Sequence, residues 1–146
     1  MGGEITCIRI VKFDAGHRVV NHESKCRTLH GHEYKAEIFA TASGLDNLGR
    51  VIDFSVLKQL VGGWIDTHWD HNMILWKEDP NLPLIQQCDG LKAPFVVDFN
   101  PTAENLAAYL LDKANELLAD TGVLVTKIKL WETSNCYVEE IGRAHV

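Results

Sequence analysis

The distribution of apolar residues predicts two strands in the first third of the chain. Residues 5–13 are mostly apolar and partly β-branched, and the pattern continues toward His17. Residues 32–42 largely alternate between apolar and polar positions, as expected for a strand with one buried face. We expect these strands to pair as an antiparallel hairpin, with the polar residues 20–29 in a long loop between them.

Two segments in the middle of the chain have the apolar spacing of amphipathic helices. The first follows residues 51–54, where Asp53 or Ser55 can act as the N-cap. The second is expected to begin after Thr102, which is a suitable N-cap, with Glu104 near the positive end of the helix dipole. Its predicted buried face consists of Leu106, Leu110, Leu111, Ala114, Leu117 and Leu118.

The last third of the chain predicts two more strands. Residues 123–131 alternate, and residues 136–146 can return beside them after a polar turn. Between the helices, residues 77–92 contain proline and glycine and predict an irregular connection before a short apolar run at residues 94–99. The order strand, strand, helix, helix, strand, strand favours an α+β fold, with a four-stranded antiparallel sheet and both helices on one face.

Composition narrows the class of protein. A chain of 146 residues with 46% hydrophobic residues has the size of one domain, which we place at residues 1–146. The net charge of −6, without a run of Lys or Arg, favours a small-molecule partner over nucleic acid. No apolar stretch approaches the roughly 20 residues of a membrane span. The four cysteines form no CxxC pair, so we expect a reduced, cytoplasmic protein.

Three histidines are candidate metal ligands. His30 and His32 are two residues apart at the start of a predicted strand, so their side chains can point to the same side and bind one ion. If the first strand lies alongside, His17 can supply a third imidazole and leave one position open, as in catalytic zinc sites. Other transition metals also accept imidazole. Two alternatives remain at this point: a solvated strand face, or a closed structural site with Cys26 as fourth ligand.

Four further residues are candidates for chemistry or binding. Cys26 precedes His30 by four positions, and a nearby cation would favour its thiolate and make it a proton acceptor. His71 can transfer protons while Asp70 orients it, and Glu132 can accept paired hydrogen bonds from the guanidine-like edge of a pterin or guanine. Ordinary loop or solvent-facing roles remain open for each. The other histidines are expected to be structural or at the surface: His22, His68 and His145.

Six sequence blocks, taken in their order along the chain, resemble the 6-pyruvoyltetrahydropterin synthase superfamily over nearly the whole chain. The spacing Cys-x-x-x-His-Gly-His is similar to that of its 6-carboxytetrahydropterin synthase branch, since the animal pyruvoyl-forming enzymes have a longer gap. The chain departs from the family's sequence pattern at two places: at Gly16, where the family usually has alanine, and at residues 72–75, which follow the Asp-His pair. The blocks are FDAGH (13–17), CRTLHGH (26–32), VIDF (51–54), WDH (69–71), PTAEN (101–105) and WET (131–133).

The resemblance implies a tunnelling fold, in which subunits join their four-stranded sheets into a barrel and two trimers stack into a homohexamer. Active sites would then lie between subunits. The implied reaction is the conversion of 7,8-dihydroneopterin triphosphate to 6-carboxy-5,6,7,8-tetrahydropterin, with release of acetaldehyde and triphosphate, in queuosine or other 7-deazaguanine biosynthesis.

The resemblance also implies residue roles. The implied roles are Zn²⁺ ligation by His17, His30 and His32, base catalysis by Cys26, proton transfer by Asp70 and His71, pterin anchoring by Glu132, and pocket lining by Thr102 and Glu104.

Two alternative functions remain. One is a pyruvoyl-forming or aldolase-like pterin enzyme on the same scaffold, and the other is a non-catalytic zinc-stabilised domain that binds a purine or pterin.

Overall fold

In the part of the chain that the structure describes, a mixed sheet of six strands forms the centre. The computed structural model describes residues 3–142. Along the sheet the strands follow the order β4-β3-β1-β2-β5-β6. Their bounds are β1 Cys7–His17, β2 His30–Ala42, β3 Asn72–Trp76, β4 Phe95–Val97, β5 Val123–Thr133 and β6 Cys136–Ile141.

The four strands predicted from alternation are present, and they are mutually antiparallel in the order β1-β2-β5-β6. The β1–β2 hairpin is in register from Cys7 opposite Ala40 to His17 opposite His30. Strand β6 ends at Ile141, earlier than predicted, and residues 143–146 lie outside the described residues. The antiparallel part of the sheet thus matches the sequence pattern.

The prediction of a four-stranded, purely antiparallel sheet is wrong. Strands β3 and β4 extend the sheet beyond β1, with β3 parallel to β1 and β4 parallel to β3. These strands could not be recognised from alternation because Ile74 and Leu75 are both fully buried, and parallel strands covered on both faces lack a polar side. The α+β class holds, with two short strands added at one edge.

Two helical regions lie where the sequence predicts them, but the prediction of an irregular connection over residues 77–92 is wrong in part, because α3 lies within it. Asp53 caps the first, where its Oδ1 accepts a hydrogen bond from the Ser55 N–H (2.9 Å). Thr102 caps the last, where its Oγ1 accepts one from the Asn105 N–H (3.2 Å). The helices are α1 Phe54–Leu57, a π-helical turn Lys58–Gly62, α2 Gly63–His68, α3 Leu82–Gln86 and α4 Ala103–Leu117, with 3-10 turns at Lys25–Arg27 and Ala119–Thr121.

Helix α4 supplies much of the core that covers one face of the sheet. Its fully buried residues Leu106, Leu110 and Ala114 belong to the same cluster as Tyr34 of β2 and Ile128 of β5. The packing of α4 against the sheet fixes its N-terminus near the ends of the central strands.

None of the helices in residues 3–142 combines the length and apolar character that crossing a lipid bilayer requires.

The alternation of β1 gives the sheet two different faces. Phe13, Ala15 and His17 are buried on the face covered by the helices, which we call the helix side. Lys12 and Asp14 are exposed on the opposite face, which we call the open side. Residues that share a strand can therefore face different environments.

Replacing Leu110 with alanine should lower the free energy of unfolding by about 2–5 kcal/mol, because it leaves a cavity in a fully buried position. Leu117 on the same helix, predicted to be buried, is only half-buried, so Leu117→Ala should cost about 1 kcal/mol or less. Urea unfolding at one fixed protein concentration measures both. Equal losses for the two variants would contradict this description of the core.

Candidate metal centre and active site

Three imidazoles meet at the end of the β1–β2 hairpin. The side-chain nitrogens of His17, His30 and His32 that could ligate an ion all lie within 4.8 Å of one another. The antiparallel register places His17 opposite His30, and His32 follows two residues later on the same face. The Nε2 atoms of His17 and His30 are 3.1 Å apart. The hairpin register alone therefore assembles the cluster.

Backbone carbonyls fix the orientation of two of the rings. The His17 Nδ1 donates a hydrogen bond to the Pro101 carbonyl oxygen (2.7 Å), and the His30 Nδ1 donates one to the Thr28 carbonyl oxygen (2.6 Å). Because a carbonyl oxygen can only accept, these bonds place the proton on Nδ1 and leave the Nε2 lone pair facing the cluster. The buried Nε2 of His32 has no hydrogen-bond partner within the described chain.

This arrangement fits a bound metal ion. Two nitrogens about 2.0–2.1 Å from one tetrahedral ion would be about 3.3 Å apart, close to the separation of His17 and His30. Burial lowers the pKa of His17 to about 4, and it also lowers the pKa of His32, although the Glu132 charge opposes that change. The two imidazoles are thus neutral near pH 7, as ligation requires. Outward Nδ1–H bonds to carbonyls are typical of metal-binding histidines.

Cys26 borders the cluster without joining it. It lies on the 3-10 turn Lys25–Arg27, is half-buried and is not in a disulfide. A cavity of about 360 Å³ is lined by Cys26, His30 and His32 together with Lys25 and Thr28. Within residues 3–142 the ligand group contains the three histidines and not Cys26, which favours a site with an open position over a closed structural one.

Glu132 lies on the helix side at the end of β5. Its carboxylate oxygens are 3.7 Å from the His32 Nε2 and 4.0 Å from the His17 Nε2. The start of α4 is close as well, because Pro101 contacts His17. Two predicted pocket residues follow there: Thr102, which is half-buried and caps the helix, and Glu104, which is exposed in the first turn.

A second cluster of titratable groups forms at the end of α2. Asp70 and His71 touch each other, with 2.8 Å between the Asp70 Oδ2 and the His71 Nδ1. The Asp14 N–H donates to the Asp70 Oδ1 (2.9 Å), and the His71 N–H donates to the Asp14 carbonyl oxygen (2.6 Å). The Lys92 ammonium donates to the Asp70 carbonyl oxygen (3.0 Å). Sequence reasoning missed Asp14 and Lys92 as members of this cluster.

The electrostatics of this second cluster suit proton transfer. Partial burial acts to raise the pKa of Asp70, but hydrogen bonds from the Asp14 N–H and from His71 hold it below its usual value. The hydrogen bond to Asp70 and its negative charge raise the pKa of His71. His71 is 76% exposed and has a positive φ of 55°. It is therefore a basic imidazole that can reach a ligand or another molecule.

The two clusters are on different sides of the sheet. The three histidines are on the helix side, whereas the side chains of Asp70 and His71 lie within 4.8 Å of the open-side Asp14 carboxylate. His71 lines a cavity of about 520 Å³ with Asp14, Gly16 and Glu33, and this cavity also reaches His32. Met73 lines the same cavity, and a Cβ atom at Gly16 would lie 2.8 Å from its Cε. The two departures from the family pattern are therefore neighbours: Met73 fills space that an alanine at position 16 would need.

The remaining histidines have local contacts. His22 Nδ1 accepts a hydrogen bond from the Ser24 N–H (2.8 Å), and the His68 ring packs on Trp64 with 5.0 Å between ring centroids. His145 lies outside the described residues. His22 and His68 belong to neither of the two clusters found in residues 3–142.

Comparison with solved structures gives the fold. The chain matches a crystal structure of an uncharacterized protein from Wolinella succinogenes with a TM-score of 0.82 and 24% identity, over 97% of this chain and 100% of that one. It matches the 6-pyruvoyl tetrahydropterin synthase of Caenorhabditis elegans with a TM-score of 0.70 and 22% identity, over 97% of both chains. The α+β fold of the single chain is thus shared with these proteins.

Comparison of sequences gives the family. A Rickettsia conorii protein named 6-carboxy-5,6,7,8-tetrahydropterin synthase is 44% identical over 137 residues, 92% of this chain and 99% of the relative. The Aquifex aeolicus protein of the same name is 32% identical, over 88% of this chain and 92% of the relative. The family model described as 6-pyruvoyl tetrahydropterin synthase matches residues 6–142. The chain belongs to the 6-pyruvoyl tetrahydropterin synthase family.

Proposed function

We propose that this protein is a lyase that converts 7,8-dihydroneopterin triphosphate to 6-carboxy-5,6,7,8-tetrahydropterin, with release of acetaldehyde and triphosphate. The names of the Rickettsia and Aquifex relatives, which align over most of their length, support this product. The product would serve queuosine or another 7-deazaguanine pathway in the cytoplasm.

One observation carries the proposal: three imidazoles converge, two of them with the Nε2 lone pair inward, next to a cavity that a free thiol also lines. Three protein ligands and an open position are typical of catalytic rather than structural metal sites. Imidazole ligands suit zinc, and we assign Zn²⁺ to His17, His30 and His32. When bound, zinc would act as a Lewis acid toward the hydroxyl groups of the substrate side chain.

The surrounding residues have separate tasks in this proposal. Cys26 accepts a proton from the substrate side chain, since it borders the cavity beside His30 and His32. Glu132 accepts paired hydrogen bonds from the pterin ring, because its carboxylate lies at the edge of the same cluster. Thr102 and Glu104 line the pocket at the start of α4. These side chains all belong to the helix side of one chain.

Asp70 and His71 complete the site from a second copy of the chain. Their side-chain atoms lie within 4.8 Å of the Asp14 carboxylate, on the open side, in a group separate from the three histidines of their own subunit. We therefore propose that active sites lie between subunits of a homohexamer, a dimer of trimers. His71 then moves a proton on the opposite side of the substrate from Cys26, with Asp70 stabilising its charged form.

Zinc-loaded protein incubated with 7,8-dihydroneopterin triphosphate should produce 6-carboxytetrahydropterin and acetaldehyde in equal amounts. Cys26→Ala should keep its zinc and lose at least about 100-fold in turnover, because a general base is removed while the ligands remain. Cys88→Ala removes an exposed thiol and serves as the matched control. Mass spectrometry of the pterin, an acetaldehyde assay and metal analysis provide the measurements.

The outcomes distinguish the alternatives. A pyruvoyl product without acetaldehyde would replace the proposed reaction with the pyruvoyl-forming one. Loss of zinc and of stability in Cys26→Ala would instead indicate a structural ligand, and the catalytic role of Cys26 would be wrong.

Mixing two inactive variants tests the shared site. Subunits of Cys26→Ala and His71→Ala, unfolded together and reassembled in equal amounts, should recover about a quarter of native activity, because that fraction of sites pairs an intact Cys26 with an intact His71 from the neighbour. A mixture of Cys26→Ala and His30→Ala should stay inactive, since both residues belong to the same chain in each site. Equal inactivity of the two mixtures would contradict sites between subunits.

A further inference from the structure

The side chain of Asn100 is bonded to the loop that carries Cys26. We call residues 18–29, between β1 and β2, the Cys26 loop. The Asn100 Oδ1 accepts a hydrogen bond from the Val20 N–H (2.9 Å), and the Asn100 Nδ2 donates one to the Val20 carbonyl oxygen (2.9 Å). The amide thus satisfies both backbone groups of one loop residue, as a neighbouring strand would.

Backbone hydrogen bonds connect the segment held by Asn100 to Cys26. The adjacent Val19 N–H donates to the Cys26 carbonyl oxygen (2.8 Å), which closes the loop on itself. The Thr28 N–H donates to the Lys25 carbonyl oxygen (3.0 Å), which forms the turn that presents the thiol. The position of Cys26 therefore depends on where Val19 and Val20 are held.

Asn100 is itself well anchored. Its carbonyl oxygen accepts hydrogen bonds from the Thr102 N–H (2.8 Å) and from the Asn105 Nδ2 (2.9 Å), at the first turn of α4. The next residue, Pro101, accepts the hydrogen bond from His17 Nδ1. Two consecutive residues thus connect the rigid end of α4 to both the histidine cluster and the Cys26 loop.

We propose that Asn100 is a positioning residue that sets the Cys26 thiol relative to the three histidines. The role requires a donor and an acceptor on one short side chain, and only asparagine offers both at this length. Aspartate would place a second oxygen against the Val20 carbonyl oxygen, and alanine would remove both bonds. This inference rests on the proposed role of Cys26 as proton acceptor.

The chain contains a matched control. Asn115 makes the same pair of bonds to one residue of β5: its Oδ1 accepts from the Val125 N–H (2.8 Å), and its Nδ2 donates to the Val125 carbonyl oxygen (3.0 Å). Both asparagines are half-buried. Val125 lies seven residues before Glu132, about 23 Å along the strand. The hydrogen bonds between Asn115 and Val125 are therefore remote from the histidine cluster.

The test compares Asn100→Asp with Asn115→Asp in the zinc-loaded protein. Both should lose similar stability, but only Asn100→Asp should raise the rate of Cys26 alkylation by iodoacetamide, by at least about fivefold, because the freed loop exposes the half-buried thiol. The same variant should lose at least about tenfold in kcat, with KM and zinc content little changed. Mass spectrometry of the peptide that contains Cys26 reports the alkylation rate.

An alkylation rate in folded Asn100→Asp that equals the rate in Asn115→Asp would overturn the proposal. If Asn100→Asp does not fold, Asn105→Ala replaces it, since it loosens Asn100 without changing its side chain, and an unchanged Cys26 rate there is equally contradictory. The alkylation readout does not need turnover. If Asn100→Asp raises the rate of Cys26 alkylation but the protein has no lyase activity, the proposed function is contradicted and the positioning role of Asn100 stands.

Discussion

The register of the β1–β2 hairpin is the constraint on which the candidate site depends. It places His17 opposite His30 on the helix side and brings His32 onto the same face two residues later. A shift of one residue would turn these side chains to the open side and expose Phe13 and Tyr34, which are buried in the core. The hydrophobic core therefore enforces the register that brings the three imidazoles onto one face.

The faces of that sheet divide the proposed chemistry. The histidine cluster and a free thiol are on the helix side, where burial lowers the pKa of His17 to about 4. The basic, exposed His71 is on the open side with Asp70, where hydrogen bonds rather than burial set its protonation. In the proposed mechanism, a single chain therefore holds two incomplete halves of a proton-transfer site. In the proposed homohexamer, neighbouring copies would bring the halves together around one substrate.

Sequence alone predicted the features that depend on local pattern. The spacing of His30 and His32 and the cap at Thr102 were found because alternation and capping are short-range properties. The parallel strands β3 and β4 were missed because doubly buried strands show no alternation. The contact of Asp14 with Asp70 depends on that pairing, and the residues are 56 positions apart, so no local pattern could indicate it.

The central claim is an open metal site built from three imidazoles, and X-ray absorption at the zinc edge of the loaded protein tests it most directly. The account predicts three nitrogen donors at about 2.0–2.1 Å, completed by oxygen from water, and no sulfur. A sulfur donor at about 2.3 Å would contradict it, because Cys26 would then be a ligand and no open position would remain for a substrate.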